Sequence, residues 1–142
     1  MPTLDYPTVL EGQPALVTGA NSGIGRAVAL GLARAGADVI VNYITNSAAA
    51  EEVAHAIEGF GRRAITIHVD VSREDAVTAM FAEAVRHFGT VHIVVSNAGL
   101  QRDAPYDEMT LDQWNTVIGV NLTGQFLCTR EAARVFKRRG VD

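Results

Sequence analysis

The chain has 142 residues, which is enough for one domain with a buried core and too few for two. Hydrophobic residues make up 48% and charged residues 20% of the sequence, an ordinary balance for a soluble globular protein. The formal net charge of -4 argues against a nucleic-acid partner, and we expect a single domain over residues 1–142.

Four short apolar runs predict strands, and they alternate with longer segments in which apolar residues recur at helical spacing. The runs place strands at 15–17, 39–41, 64–67 and 91–95. The longer segments place helices at 24–35, 50–60, 73–88 and 111–139. Ser72 is the expected N-cap of the third helix, and Thr110 forms a capping box with Gln113 at the start of the fourth.

The resulting order, β-α-β-α-β-α-β-α, predicts an α/β fold with one parallel sheet and helices on both of its faces. The strands support this because a strand that is buried on both faces has no polar side, and these runs are almost entirely apolar. We expect a Rossmann-type, doubly wound parallel sheet with the strand order 3-2-1-4.

A glycine-rich loop joins the first strand to the first helix. Glycines at such a place allow a tight turn, let the backbone come close to a pyrophosphate, and let the helix pack closely on the strand. The N–H groups and the positive end of the helix dipole then hold the phosphates. The loop therefore predicts a dinucleotide site, and the residues expected to bind the cofactor there are Gly19, Asn21, Ser22, Gly23, Ile24 and Gly25.

Four motifs in chain order carry a resemblance to a known family. They are T-G-x-x-x-G-x-G at 18–25, Asp70-Val71 after the third strand, Asn97-Ala98-Gly99 after the fourth strand, and Asn121 in the last helix. On these motifs the chain resembles the short-chain dehydrogenase/reductase family over residues 12–139.

The resemblance implies a role for each motif. Asp70 would bond the adenine amino group, Val71 would lie against its ring, and Asn97–Gly99 would support the sheet and line the cofactor cleft. Asn121 would be the helix asparagine of the catalytic tetrad, which holds a water. A simpler interpretation stays open for two of these residues. Asp70 could be a turn residue or a helix-capping acid, and Asn97 could cap the end of a strand. Asn121, however, is disfavoured inside a helix because its amide competes with the backbone, which favours a functional role.

The end of the second strand bears on the choice of cofactor. An acid at that place takes the ribose hydroxyls of NAD, whereas an arginine accommodates the phosphate of NADP. Residues 42–47 include neither, Asp38 stands at the opposite end of the strand, and Arg26 is close in sequence. Asn42 is counted among the cofactor-binding residues, and the polar side chains at 45–47 could donate hydrogen bonds to a 2′-phosphate. We expect both NADP and NAD to bind, with a slight preference for NADP.

Members of the family transfer a hydride reversibly between C4 of the nicotinamide and an alcohol or carbonyl carbon. Segments 41–43, 97–101 and 109–132 are most similar to glucose 1-dehydrogenases. The resemblance therefore implies an NAD(P)-dependent oxidoreductase with a small alcohol or carbonyl substrate, such as the sugar glucose. An enzyme like the 3-oxoacyl-carrier-protein reductases is the alternative, because these share much of the same pattern.

In the family, a tyrosine with a lysine four residues later forms the catalytic site together with a serine. No Tyr-x-x-x-Lys occurs in this sequence. Lys137 is the only lysine, and Ala133 stands four residues before it. Tyr6, Tyr43 and Tyr106 have no lysine at the required spacing. We expect the chain to be truncated before the fifth strand and to bind the cofactor without turnover. A non-catalytic nucleotide-binding module of this length is the other reading.

The surroundings of the domain can also be predicted. An open sheet edge beyond the fourth strand, and a last helix that is apolar around much of its circumference, both require further protein against them. The resemblance implies a homo-oligomer, a dimer or tetramer, for the complete enzyme.

The first twelve residues lack the features of a signal peptide, and no apolar run reaches the roughly 18 residues of a membrane span, so a cytoplasmic protein without a membrane partner is expected. The single cysteine, Cys128, is expected in the core, and the four dispersed histidines predict no metal site.

Overall fold

Strands and helices alternate along the chain, which a computed structural model describes over residues 7–140. The strands are β1 (Ala15–Val17), β2 (Val39–Tyr43), β3 (Ala64–His68) and β4 (Ile93–Val95). The helices are α1 (Gly23–Arg34), α2 (Ser47–Gly59), α3 (Glu74–Phe88), α4 (Leu111–Ile118) and α5 (Gly124–Arg138), with a π-helical turn at Gly119–Thr123 between the last two. Each predicted element is present, with ends shifted by a few residues. Tyr6 and the start of the segment considered for a signal peptide lie outside the described residues.

The sheet is parallel throughout, with the strand order β3-β2-β1-β4. This confirms the predicted doubly wound α/β arrangement. In the centre, Leu16 of β1 stands beside Ile40 of β2 on one side and Val94 of β4 on the other. Thus β2 and β3 lie on one side of β1, and β4 lies on the other side. Open parallel sheets bind their ligands at the carboxyl ends of the strands, in the crevice where the strand order reverses.

Alternate strand residues face two separate layers of helices. Leu16 and Ile40 pack in a core with buried residues of α3 and α5, whereas Val17 and Val39 pack in a second core with α1 and α2. Burial of both faces explains the continuous apolar runs at 15–17 in β1 and 39–41 in β2. The three residues of β4 are only partly buried, because β4 is an edge strand of the described sheet.

The start of α3 differs from its prediction. Ser72 is not the N-cap, because the helix begins at Glu74 and Arg73 occupies the capping position. The amide and the hydroxyl of Ser72 both donate to Oδ1 of Asp70, at 2.9 Å and 2.7 Å. The prediction is wrong because this hydroxyl closes a turn on the preceding carboxylate instead of accepting a hydrogen bond from the helix.

The predicted last helix is present as two α-helices with a π-helical turn between them. Its capping box is confirmed, since Thr110 Oγ1 accepts from the amide of Gln113 at 3.1 Å and Gln113 Oε1 accepts from the amide of Thr110 at 2.8 Å. The π-helical turn contains Asn121 at its centre. Turns of this kind widen a helix locally and occur frequently at functional sites.

Cys128 lies in the core beneath β4, as predicted. Burial raises the pKa of its thiol to about 11. A thiol of that kind is protonated near neutral pH and chemically inert.

Residues 7–140 contain neither a membrane-spanning helix nor a candidate metal site. No helix in this range is long and apolar enough to cross a membrane. Within the same residues, no group of three or more histidine, cysteine or acidic side chains is placed to hold a metal ion.

Candidate functional site

A cleft of about 790 Å³ opens at the carboxyl edge of the sheet, where the strand order reverses. The loops after all four strands and one face of α4 contribute to it. Its lining consists of Gly19, Asn21, Ser22, Gly23, Ile24, Asn42, Ile44, Thr45, Val69, Asp70, Val71, Ser72, Asn97, Ala98, Gly99, Leu100, Asn115, Thr116, Gly119 and Val120.

The N-terminus of α1 meets this cleft without a side-chain cap. Ser22 occupies the N-cap position, but its hydroxyl accepts no hydrogen bond from the helix. By contrast, Asn46 caps α2 and Thr110 caps α4 with their side chains. The first N–H groups of a helix have no partner inside the helix, and together with the dipole they attract an anion. The start of α1 is therefore free to bind phosphate.

The glycines of the loop have two different physical roles. Gly19 and Gly23 have φ angles of 60° and 52°, a left-handed backbone that other residues adopt only at a cost. Gly25 is ordinary helix, but a Cβ there would lie 2.2 Å from the carbonyl oxygen of Gly19 and 2.5 Å from Nδ2 of Asn97. Ala29 and Ala33 continue the same buried face of α1. The small side chains bring the start of α1 close to the end of β1.

A partly buried hydrogen-bond network joins the glycine loop to the segment after β4. The hydroxyl oxygen of Thr18 accepts from the amides of Asn97 and Ala98, at 2.9 Å and 3.0 Å. In the other direction, Nδ2 of Asn97 donates to the carbonyl oxygens of Thr18 and Gly19, at 3.0 Å and 3.2 Å. Thr18 and Asn97 therefore hold the two loops in a fixed relation beside the cleft.

Asn42 also holds the glycine loop in place, through a hydrogen bond with Gly19. Its side chain is 1% exposed, and Oδ1 accepts from the amide of Gly19 at 3.2 Å. The side-chain nitrogen donates to the carbonyl oxygens of Ile67 and Val69, at 3.3 Å and 3.1 Å. Asn42 thus joins the ends of three strands, β1, β2 and β3.

Asn121 lies beside the cleft and holds one of its walls. Oδ1 accepts from the amide of Leu100 and Nδ2 donates to the carbonyl of the same residue, both at 2.9 Å. Nearby, a Cβ on Gly124 would lie 2.8 Å from Cγ2 of Val71. The helical turn at Asn121 therefore packs directly against the segments after β3 and β4.

Eleven of the twelve predicted cofactor-binding residues line this single cleft. Gly25 is the exception, since it packs behind the loop, and Asn121 stands outside the lining. Sequence reasoning did not find the wall formed by Asn115, Thr116 and Gly119 of α4 and the turn after it. The available signal was that small or polar residues recur at helical spacing in this segment.

The charges around the cleft are few. Asp70 is the one charged residue in its lining. Asp38 is at the far end of β2, where its carboxylate pairs with the guanidinium of Arg63 at 2.7 Å and 2.9 Å. Arg26 is exposed and outside the lining. A phosphate bound in the cleft would thus be held by N–H and O–H groups of the lining.

Comparison with known proteins agrees with this geometry. The family model of the short chain dehydrogenases matches residues 13–141. The chain belongs to the short-chain dehydrogenase family.

Curated relatives within this family are similar over about half of their own length. Versicolorin reductase of Emericella nidulans is 45% identical over 131 residues, which cover 92% of this chain and 50% of that protein. Hydroxynaphthalene reductase of Aspergillus fumigatus is 42% identical over 123 residues, covering 87% of this chain and 45% of that protein.

A solved structure extends the comparison to three dimensions. A short chain dehydrogenase from Burkholderia cenocepacia, in complex with NADP, superposes with a TM-score of 0.86 at 39% identity. The match covers 89% of this chain and 51% of that one. This short-chain dehydrogenase chain therefore shares the fold of a relative that holds a nicotinamide dinucleotide.

Proposed function

We propose that the cleft binds NADP(H) and that the chain serves an oxidoreductase acting on an alcohol or carbonyl compound. The uncapped N-terminus of α1, which faces the cleft across the glycine loop, carries this proposal. It fits a diphosphate because Gly25 leaves no side chain between the helix and the strand.

Each part of the lining has a role in the proposed site. The amides at the start of α1 would hold the diphosphate, and Asp70 and Val71 would receive the adenine. The nicotinamide would lie toward Asn97–Gly99 and Leu100, the wall that Asn121 holds. When bound, the cofactor supplies or accepts the hydride. Asn121 is the member of the family's catalytic tetrad that this sequence provides, and here it orients Leu100.

A preference for NADP over NAD is part of the proposal. The second strand ends at the cleft without a carboxylate, so nothing at that place repels a 2′-phosphate. Thr45 is in the lining and carries a hydroxyl donor. The relative from Burkholderia cenocepacia was solved with NADP, which supports the same choice.

We infer a hydroxylated aromatic ketone as the substrate class, because two relatives are named as reductases of versicolorin and hydroxynaphthalene. Glucose stays a prediction from sequence, and the names of these relatives give it no support. The assignment is tested by assaying the protein encoded by the full source transcript with a hydroxynaphthalene ketone and with glucose. Faster turnover of glucose would contradict it.

The cofactor proposal is tested on the 142-residue chain by titration calorimetry with NADPH and NADH. We expect both to bind and NADPH to bind more tightly. Because no Tyr-x-x-x-Lys occurs in the sequence, the same chain should give no steady oxidation or reduction of any substrate. Failure to bind either dinucleotide would contradict the cofactor site, and turnover that scales with purified protein would contradict the assignment of roles.

A further inference from the structure

The loop between β2 and α2, residues 44–46, is held by side chains from two other elements. The ring of His68, at the end of β3, donates from Nε2 to the carbonyl oxygen of Ile44 at 2.9 Å. Nδ2 of Asn21, in the glycine loop, donates to the carbonyl oxygen of Thr45 at 2.7 Å and to that of Asn46 at 3.4 Å. Three successive carbonyl groups therefore accept hydrogen bonds from outside the loop.

This loop needs such support because its conformation is strained and exposed. Asn46 has a φ of 61° and is the one residue other than glycine with a positive φ among residues 7–140. That conformation costs free energy in an L-amino acid. Ile44 is 52% exposed, so burial of the loop contributes little to its order.

The two donors approach from opposite sides. His68 reaches the loop from β3, with its ring beside that of Tyr43 at a centroid distance of 5.4 Å. Asn21 reaches it from the segment after β1, across the mouth of the cleft. Their N–H groups are directed at backbone carbonyls, so they position the loop and leave its own donors for a ligand. The carbonyl accepts, and Nε2 of His68 must therefore carry the proton.

We propose that His68 and Asn21 are positioning residues that hold the β2–α2 loop in the shape that receives the 2′-phosphate of the adenosine ribose. The inference rests on the proposed NADP(H) site, since Ile44 and Thr45 line the same cleft. A loop that is ordered before binding loses less conformational entropy when the ligand arrives. Loss of either donor weakens the hold on the 2′-phosphate and leaves the rest of the site intact.

The test compares two fragments of the cofactor on the full 142-residue chain. Calorimetry gives the Kd of 2′,5′-ADP and of 5′-AMP, which differ in the 2′-phosphate. For His68→Leu we expect the Kd of 2′,5′-ADP to rise about three- to tenfold and that of 5′-AMP to change by less than about twofold. Amide hydrogen exchange at 44–47 should become faster in the free protein, with little change in Tm.

Three further variants complete the design. His68→Gln keeps a side-chain N–H donor and should restore most of the affinity for 2′,5′-ADP. Asn21→Ala should reproduce the effect of His68→Leu from the other side of the loop, and it serves if the first variant folds poorly. His55→Leu removes an exposed histidine of α2 and should leave both Kd values unchanged.

The outcomes separate this inference from the proposed function. If the wild-type chain binds neither NADPH nor the two fragments, the cofactor site itself is wrong and this inference falls with it. If the wild type binds but His68→Leu and Asn21→Ala leave the ratio of the two Kd values and the exchange at 44–47 unchanged, the positioning role is wrong. An equal rise of both Kd values would also overturn it, because the effect would not be confined to the 2′-phosphate.

Discussion

At the scale of single residues, one hydroxyl determines how two loops of the cleft meet. Thr18 is 1% exposed and accepts hydrogen bonds from two consecutive backbone amides. A valine has nearly the same shape but no acceptor, and burying an amide without a partner costs about 1–3 kcal/mol. We therefore expect Thr18→Val to lower the free energy of unfolding by about 2 kcal/mol, measured by urea denaturation. Thr18→Ser keeps the oxygen and should lose less, so equal losses would contradict this role.

Gly25 and Gly31 allow the same substitution to be compared at two places in one helix. An alanine at Gly25 would force its Cβ to within 2.2 Å of a backbone oxygen, whereas Gly31 has open space around it. We expect Gly25→Ala to lower the free energy of unfolding by about 1–3 kcal/mol and to weaken NADPH binding. Gly31→Ala should raise stability by about 0.5–1 kcal/mol, because alanine favours a helix interior. Normal NADPH affinity in Gly25→Ala would contradict the close approach of α1 to β1.

At the scale of elements, we expect the start of β4 to make the stability of the chain depend on pH. His92 precedes that strand and is half-buried, and Nδ1 is buried without a hydrogen-bond partner. Burial, and secondly the positive charge of Arg139 at the end of α5, lower the pKa of His92 below its ordinary value of 6.5. The folded chain therefore binds this proton more weakly than the unfolded chain, and protonation favours unfolding.

The effect on stability has a defined direction. The contribution of His92 is constant well above pH 6.5, and stability is lost as the pH falls from 6.5 toward the folded-state pKa. The loss is measured by urea denaturation as the difference in the free energy of unfolding between about pH 7.5 and about pH 5.5. We expect His92→Gln to make this difference smaller. His55→Gln, at an exposed position of α2, should retain it. A pH dependence unchanged by His92→Gln would show that the loss arises elsewhere.

At the scale of the whole molecule, the face formed by α4, the π-helical turn and the start of α5 is unusually apolar for a surface. Trp114 is 53%, Leu122 63% and Phe126 57% exposed. A large exposed apolar patch favours association. We therefore expect the 142-residue chain to self-associate at micromolar concentration, which sedimentation velocity measures.

Trp114 is the single tryptophan of the chain and provides a second measurement. Its fluorescence emission should shift to longer wavelength on dilution, because the ring returns to water when the complex dissociates. Phe126→Lys should favour the monomer, whereas Val9→Lys, at a position 67% exposed outside these helices, should not. A wild-type chain that sediments as a monomer at all concentrations would show that this face does not associate.

The sequence by itself determined the elements, their order and the place of the glycine loop. These follow from local properties: the apolar period separates strands from helices, and glycine alone adopts the left-handed backbone of Gly19 and Gly23 without strain. Parallel pairing then follows from the alternation of strands and helices, whereas the order β3-β2-β1-β4, with β3 and β4 at opposite edges, was expected from the Rossmann-type pattern. Local reasoning failed at Ser72. Its hydroxyl could bond either to an amide at the start of α3 or to the carboxylate of Asp70, and in the structure it donates to the carboxylate.

Only the tertiary structure decided which side chains meet across elements. Asn42 is a buried link between three strand ends, Gly25 is a point of contact with Asn97, and His68 is a donor to the loop after another strand. Each of these contacts joins residues far apart in sequence, and its partner depends on the order and register of the strands. Hydrogen bonds act over about 3 Å, so their partners become known only when the packing of the elements brings the atoms together.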